Sequence, residues 1–209
     1  TLAQAIFYDM FGDEGEPTKL VDAVYGAELF VDGDWVETKD QDPQGEVRLT
    51  QLADIGVGRW LDKSARFMTT EAAARLKCTF LKPGDVLIAR MPDPIGRACL
   101  FPDDRKPSVS VVDVCIVRPD PERISPRWLV ECINLPSVRA QIERLATGTT
   151  RSRISRRNLG SVEIRVPSIG HQREFVKRMA CVESATTTNQ QSESNLGDLF
   201  ASLQQRAFR

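Results

Sequence analysis

Several strings in this 209-residue chain carry residue types used in catalysis. Pro92-Asp93 followed by Asp104-Arg105-Lys106 has the PD…DxK form of a metal-dependent nuclease, in which two carboxylates hold Mg²⁺ and a lysine orients the attacking water. The second part of that pattern, FPDDRKPS, also has the composition of a hairpin turn between the runs IGRACLF and VSVVDVCIV, and we read it as one. Ala53-Asp54-Ile55-Gly56-Val57-Gly58 matches the DxGxG turn by which methyltransferases approach S-adenosylmethionine. Enzymes of that kind acting on DNA amino groups also need an (Asn/Asp)-Pro-Pro-aromatic loop for the flipped base. The nearest strings, Met91-Pro-Asp-Pro94 and Ile133-Asn-Leu-Pro136, do not match, so a glycine turn between strands is the simpler reading. Asp54, Asp85 and Asp113 each sit in or beside an apolar run, and nothing in the sequence brings two together; solvated strand edges or loops are expected for them.

Metal and thiol chemistry are poorly provided for. Cys78, Cys99, Cys115, Cys132 and Cys181 lie 21, 16, 17 and 49 residues apart, with no CxxC pair and a single histidine, His171. That spacing disfavours zinc and suggests reduced thiols in a cytoplasmic protein. One histidine also leaves little room for the commonest general bases. No run approaches the ~20 apolar residues that cross a bilayer, and no secretory leader is expected. The 41% apolar content is ordinary for a packed core.

The net charge of −1 hides a divided chain. Residues 1–46 carry 12 acidic and 2 basic side chains, 47–138 carry 11 and 14, 139–178 carry 3 and 10, and the last 31 carry 3 and 2. Such asymmetry implies a polyanion-facing side that the total conceals.

The elements that must position these residues follow from pattern. Leu2 to Phe11 reads as the end of a helix stopped by Gly12. VRLTQLADI, DVLIARM, VSVVDVCIV and SVEIRVP are β-branched runs punctuated by Gly, Pro and Asp. TTEAAARLKCTF predicts a helix capped at Thr69 or Thr70; PRWLVECINLPSVRAQIERLAT predicts two helices divided at Pro136 and ended by Gly148. After Pro167, Phe175, Val182, Asn189, Leu196 and Leu203 recur by seven, as do Met179, Thr186, Glu193, Phe200 and Ala207. A continuous helix there of roughly 40 residues would span about 60 Å and needs a partner helix. The opening and closing strings also echo each other: Leu2/Leu199, Ile6/Leu203 and Phe11/Phe208 share an offset of 197, as in a piece cut from a tandem repeat.

Lys82-Pro-Gly-Asp-Val-Leu-Ile-Ala-Arg90, Gly96-Arg-Ala, Thr147-Gly-Thr-Thr-Arg-Ser-Arg-Ile-Ser155, Ile164-Arg-Val-Pro167 with Gln172, and the terminal strings LAQAIFYDMFGD and LGDLFASLQQRAF carry a family likeness in their order and spacing. Together they resemble the DNA-specificity subunit of type I restriction–modification enzymes. One departure is His171-Gln172, where the family has an acidic residue before the glutamine. The resemblance implies a mixed α/β (α+β) chain: 1–12 the end of a helical spacer, 19–167 a DNA target-recognition domain with a twisted, largely antiparallel sheet, and 168–209 a long coiled-coil helix. It further implies a non-catalytic reader of half a bipartite target; the PD…DxK string leaves a Mg²⁺-dependent DNA nuclease as the alternative. No cofactor and no membrane contact are expected. The partners implied are double-stranded DNA, the methylation subunits and through them the motor (restriction) subunit, and a coiled-coil helix from the other half of the subunit or a second copy.

Direct readout needs side chains that reach base edges, and phosphate neutralisation needs arginine and lysine. Loops between strands can supply both without disturbing a core. The candidates are Arg59, Trp60, Lys63 and Arg66 after the Gly56/Gly58 turn; Arg90, Met91 and Arg97 in a second loop; Arg105 and Lys106 in a third; and Thr149, Thr150, Arg151 and Arg153 after Gly148.

Overall fold

A computed structural model of the chain describes residues 2–12, 14–102, 106–148 and 151–207; in the last helix it describes side chains through Thr186 and at Ser192, Asn195, Leu196 and Gln204. Its first half contains α1 (Leu2–Phe11), β1 (Pro17–Lys19), α2 (Leu20–Ala23), β2 (Leu29–Asp32), β3 (Val47–Thr50), β4 (Phe67–Met68), α3 (Thr70–Arg75) and β5 (Val86–Ala89). There follow β6 (Ala98–Leu100), β7 (Ser108–Ser110), β8 (Val114–Arg118), α4 (Pro126–Ile133), α5 (Pro136–Leu145), α6 (Arg156–Gly160), β9 (Glu163–Arg165) and α7 (Ile169–Ala207).

The apolar runs of β5 and β8 lie in the middle of a four-stranded antiparallel sheet of order β2-β8-β5-β6. Successive side chains of a strand point to opposite faces. Val86, Ile88, Ala98, Cys115 and Val117 enter one core, while Leu87, Ala89, Cys99, Val114 and Ile116 enter another. Burial on both faces explains why these strands read as continuous apolar runs rather than as alternation. Beside this sheet stands a three-stranded one, β4-β3-β7, with β3 and β7 parallel and α3 packed on it. A two-stranded ribbon of β1 and β9 ties the beginning of the chain to its later part.

Two expectations differ from the structure here. VSVVDVCIV is not one strand: residues 111–113 turn, with Val114 N–H donating to the Val111 carbonyl at 3.0 Å, and β7 and β8 join different sheets. For the same reason FPDDRKPS does not close a hairpin, since β6 pairs with β5 and β7 with β3; Asp103, Asp104 and Arg105 themselves lie outside the described residues.

The larger core gathers aromatic rings where α1, α4 and α7 meet. Phe7 stacks on Trp128 at 6.0 Å and meets Phe175 edge-on at 5.4 Å, and Phe11 lies 5.5 Å from Phe175. Gln172, wholly buried one turn earlier, accepts from Ser125 N–H at 2.8 Å and donates to the carbonyls of Arg123 and Pro167. That amide fixes the start of α7 to the approach of α4, and His171 beside it meets Glu14 at 2.9 Å. The helix then leaves the body: beyond Met179 its described side chains are exposed apart from half-buried Val182. Its 39 residues correspond to about 58 Å at 1.5 Å per residue. Among the described residues no helix is long and apolar enough to cross a membrane.

Candidate nucleic-acid interface

The register of the four-stranded sheet brings the last residue of β2, the first of β8, the last of β5 and the first of β6 to one end. Five connections therefore emerge or dock there: residues 33–36, 51–61, 90–97, 111–113, and 147–148 with 151–154. Each is held by a specific side chain.

Asp54 organises the first large loop. Its carboxylate is fully buried and accepts from the backbone N–H of Gln51 at 2.7 Å, of Lys63 at 2.9 Å and of Ser64 at 2.7 Å, and from the Ser64 hydroxyl. Arg48 reaches the same carboxylate at 3.3 Å, Asp62 at 2.5 Å and the Ser64 carbonyl at 3.0 Å. Its guanidinium lies 5.3 Å from the Trp60 ring centre, and that ring meets Phe101 edge-on at 5.4 Å. Inside this frame Gly56 N–H bonds the Arg59 carbonyl at 3.0 Å, making a tight turn between Ile55 and Trp60. Arg59 and Lys63 are presented to solvent, whereas half-buried Trp60 serves as wall between Arg48 and Phe101. Asp54 is thus an internal acceptor, not the solvated edge expected. Asp85 is too: it is buried, accepts from Lys82 N–H at 2.8 Å and pairs with two nitrogens of Arg118 at 2.7 and 2.8 Å. It stands at the opposite end of the sheet from Asp113, so the three carboxylates do not form one site.

Arg90 and Arg97 differ from the expectation that they face DNA. Arg97 is 7% exposed and gives all three of its nitrogens to backbone carbonyls: Ile55 at 2.7 Å, Pro94 at 2.8 Å, Met91 at 3.2 Å and Leu52 at 2.8 Å. Burial lowers its pKa first, with Arg139 nearby adding to the effect. Arg90 is 5% exposed, donates to Ile154 O at 2.9 Å and Val112 O at 3.1 Å, and pairs with Asp32. Arg90 directly follows β5 and Arg97 directly precedes β6, so the sheet aims both side chains under the loops instead of out of them. The backbone assists at two glycines. Gly96 has φ +76° and a Cβ there would lie 2.7 Å from Ile142; Gly148 has φ +107° and a Cβ there would lie 2.6 Å from the Arg151 carbonyl.

The last loop closes through a Thr147–Arg153 backbone pair with bonds of 2.9 and 2.8 Å. Half-buried Arg153 pairs with Asp113 at 3.1 Å, and Arg151 is exposed. Met91 is half-buried at the rim of its loop. Thr149, Thr150 and Arg105 lie outside the described residues. Lys106 stands apart from this end, because β6 runs away from it; its ammonium lies 5.5 Å over the Phe67 ring, next to exposed Arg66, which bonds Gln41 at 3.0 Å. The structure thus brings Arg59, Lys63, Met91, Arg151 and Arg153 to one end, and Arg66 and Lys106 to a flank.

Sequence reasoning missed Trp35. Its indole is 69% exposed at the same end, beside a hollow of about 370 Å³ lined by Leu52, Val111 and Val112 with Gln51 and Asp113 at the margin. It lies in the acidic stretch, where charge gave no reason to look. Asp34, next to it, accepts from Thr79 N–H at 2.9 Å, and burial raises its carboxyl above the ordinary range. Among the described residues, no group of three or more His, Cys, Asp or Glu is placed to hold a metal ion. Asp104, half of the PD…DxK pattern, lies outside them.

No protein-family model matches the chain, and neither does any curated protein sequence. Solved structures do match. The HsdS subunit from Thermoanaerobacter tengcongensis superposes with a TM-score of 0.62 at 14% identity over 90% of this chain and 44% of its own. A chain from a structure describing complex assembly and conformational transition of the type I R-M system gives 0.62 at 14% identity over 93% and 48%. The chain therefore shares the fold of these two structures and spans less than half the length of each.

Proposed function

We propose that this chain reads one half of a bipartite DNA target as part of a type I restriction–modification specificity subunit. The observation that carries the reading is the convergence of cationic, backbone-anchored loops at one end of the sheet, on a fold shared with HsdS. Arg59, Lys63 and Arg151 neutralise phosphates; Arg153, Met91 and exposed Trp35 stand at the same end of the sheet and contact base edges and thymine methyls. Arg66 and Lys106 extend the phosphate track along the flank, and Arg105, Thr149 and Thr150 belong with their loops by position in the chain.

On this reading residues 19–167 are the recognition domain, 1–12 close a preceding helical spacer, and 168–209 begin the following one. The chain performs no chemistry. Adenine methylation belongs to methylation subunits that grip the spacer helices, and cleavage to the motor subunit recruited through them. Leu196, 56% exposed on α7, is an apolar position that a partner helix would cover, supplied by the other half of the subunit or a second copy.

The test is to incubate the chain with a random-duplex pool and Mg²⁺ at low and moderate salt, sequence what is retained and check the pool for cutting. Enrichment of one short motif without cleavage is the expected result. Cleavage that disappears in Asp93→Ala would replace this reading with a nuclease. Retention without any motif, with and without added methylation subunit, would refute it.

A further inference from the structure

The two most buried arginines among the sequence-derived candidates, 5% and 7% exposed, are costly to bury and direct their donors mainly at backbone carbonyls instead of at solvent. We infer that Arg90 and Arg97 are positioning residues for DNA reading: each guanidinium staples two recognition loops together through their backbone carbonyls, and so sets target specificity without touching the target. The inference rests on the DNA-reading role proposed above.

Arg97 joins residues 52–55 to residues 91–94. Its Nε and Nη2 bond the carbonyls of Ile55 and Leu52, and its Nη1 those of Pro94 and Met91. Arg90 joins residues 111–113 to residue 154, through Val112 O and Ile154 O, while its own N–H bonds Asp113 O and its own carbonyl accepts from Ile154 N–H. The loops so paired are those that carry Arg59, Met91 and Arg153. A planar fork with five donors can satisfy carbonyls in several directions from one buried point; an ammonium on a single stem cannot. Apart from Asp32 against Arg90, the partners are carbonyls, which offer no full charge to offset burial. A solvated surface arginine or a phosphate ligand needs none of this arrangement. The two staples also leave the loop tips unconstrained, so side chains at Arg59, Met91 or Arg151 can change while their spacing is kept.

The experiment compares the parent chain with Arg97→Lys and Arg97→Gln by amide hydrogen exchange without DNA, then by affinity for the selected duplex and for random duplex across a salt series. The staple predicts that exchange at Gly56, Leu61 and Gly96 accelerates about tenfold or more in both variants, while Leu87 and Ile116 in the central strands do not change. It predicts that discrimination between selected and random DNA falls about tenfold in both, with the salt slope of the parent, and that lysine does not rescue. A salt slope reduced by about one in Arg97→Gln and restored in Arg97→Lys, with loop exchange unchanged, would overturn the inference and make Arg97 a phosphate ligand. If the parent selects no motif, the DNA-reading role fails, but the exchange result still decides whether the staple exists. If Arg97→Lys does not fold, Arg90→Lys, whose ammonium can still pair with Asp32, puts the same question to residues 111–113 and 147–154; unchanged exchange there would overturn it.

Discussion

Replacing Asp54 by alanine takes away one buried carboxylate and leaves five donors facing the space it filled: the N–H groups of Gln51, Lys63 and Ser64, the Ser64 hydroxyl and the Arg48 guanidinium. Hydrogen bonds to charged acceptors contribute roughly 1.5–3 kcal/mol each, and removing one partner of a buried ion pair costs about 3–5 kcal/mol. The contributions do not add, because residues 62–64 can swing outward and be solvated, and because Arg48 keeps Asp62 at 2.5 Å as a second carboxylate. A net loss of about 3–5 kcal/mol follows, a large share of the ~5–15 kcal/mol that holds a domain together. For a chain of this size each kcal/mol lowers the melting temperature by about 2–4 °C, so Asp54→Ala is expected to melt about 6–20 °C below the parent. Asp54→Asn keeps an acceptor oxygen but turns an NH₂ group toward donors, and belongs between the two. Thermal and urea unfolding followed by circular dichroism measure the loss. Limited trypsin digestion at Arg59 and Lys63, both on the released segment, measures its location. A loss below about 1 kcal/mol, with cleavage at those two sites no faster than in the parent, would refute the view that this carboxylate builds the loop.

Arg151→Ala combined with Arg153→Ala is expected to weaken binding to every duplex and to reduce the slope of log affinity against log salt by about one, the share of Arg151; an unchanged slope would remove that loop from the phosphate contacts. Trp35→Ala should leave the slope intact and lower discrimination, read from the same titrations, since a ring carries no charge to release counterions. Thiol labelling at pH 8 should modify exposed Cys181 first and Cys78, pushed up to about 11 by burial, slowly; Cys99, Cys115 and Cys132, each pushed up to about 12, should label only after unfolding, counted by intact mass. Asp34, raised by burial, favours the folded state while protonated and loses that contribution as pH climbs through its folded-state value. Asp34→Asn should therefore show an advantage over the parent that grows as pH rises from the ordinary carboxyl value of 3.8 through the folded-state value and then levels off, read in urea titrations; a loss instead would show the Thr79 N–H to dominate.

Local signals carried much of the architecture. Thr69 caps α3 by accepting from Ala72 N–H at 3.1 Å, Pro136 divides α4 from α5, and the helix after Pro167 runs on as the spacing by seven implies. Those features depend on residues a few positions apart. The division of VSVVDVCIV between two sheets does not: no Gly, Pro or Asn marks the turn at 111–113, and the partner that pulls β7 away is β3, some sixty residues earlier. Side chains of Asn189, Glu193, Phe200 and Leu203, which would complete the heptad, lie outside those described.

The same limit explains which site residues could be read. Arg59 and Arg151 follow glycine turns, and such turns expose what they carry. Arg90 and Arg97 flank the second loop in a sequence equally rich in turn residues, and nothing local separates them from the first pair. Their fate is set by register: Arg90 extends β5 and Arg97 precedes β6, so both point inward at the sheet end, toward carbonyls brought from residues 52–55, 112 and 154. Composition can count the cations on a nucleic-acid-binding chain, but only the pairing of strands divides them into those that meet the polyanion and those that shape the surface meeting it. In the DNA-reading role proposed above, that division gives the more exposed group to affinity and the buried pair to the geometry on which discrimination depends.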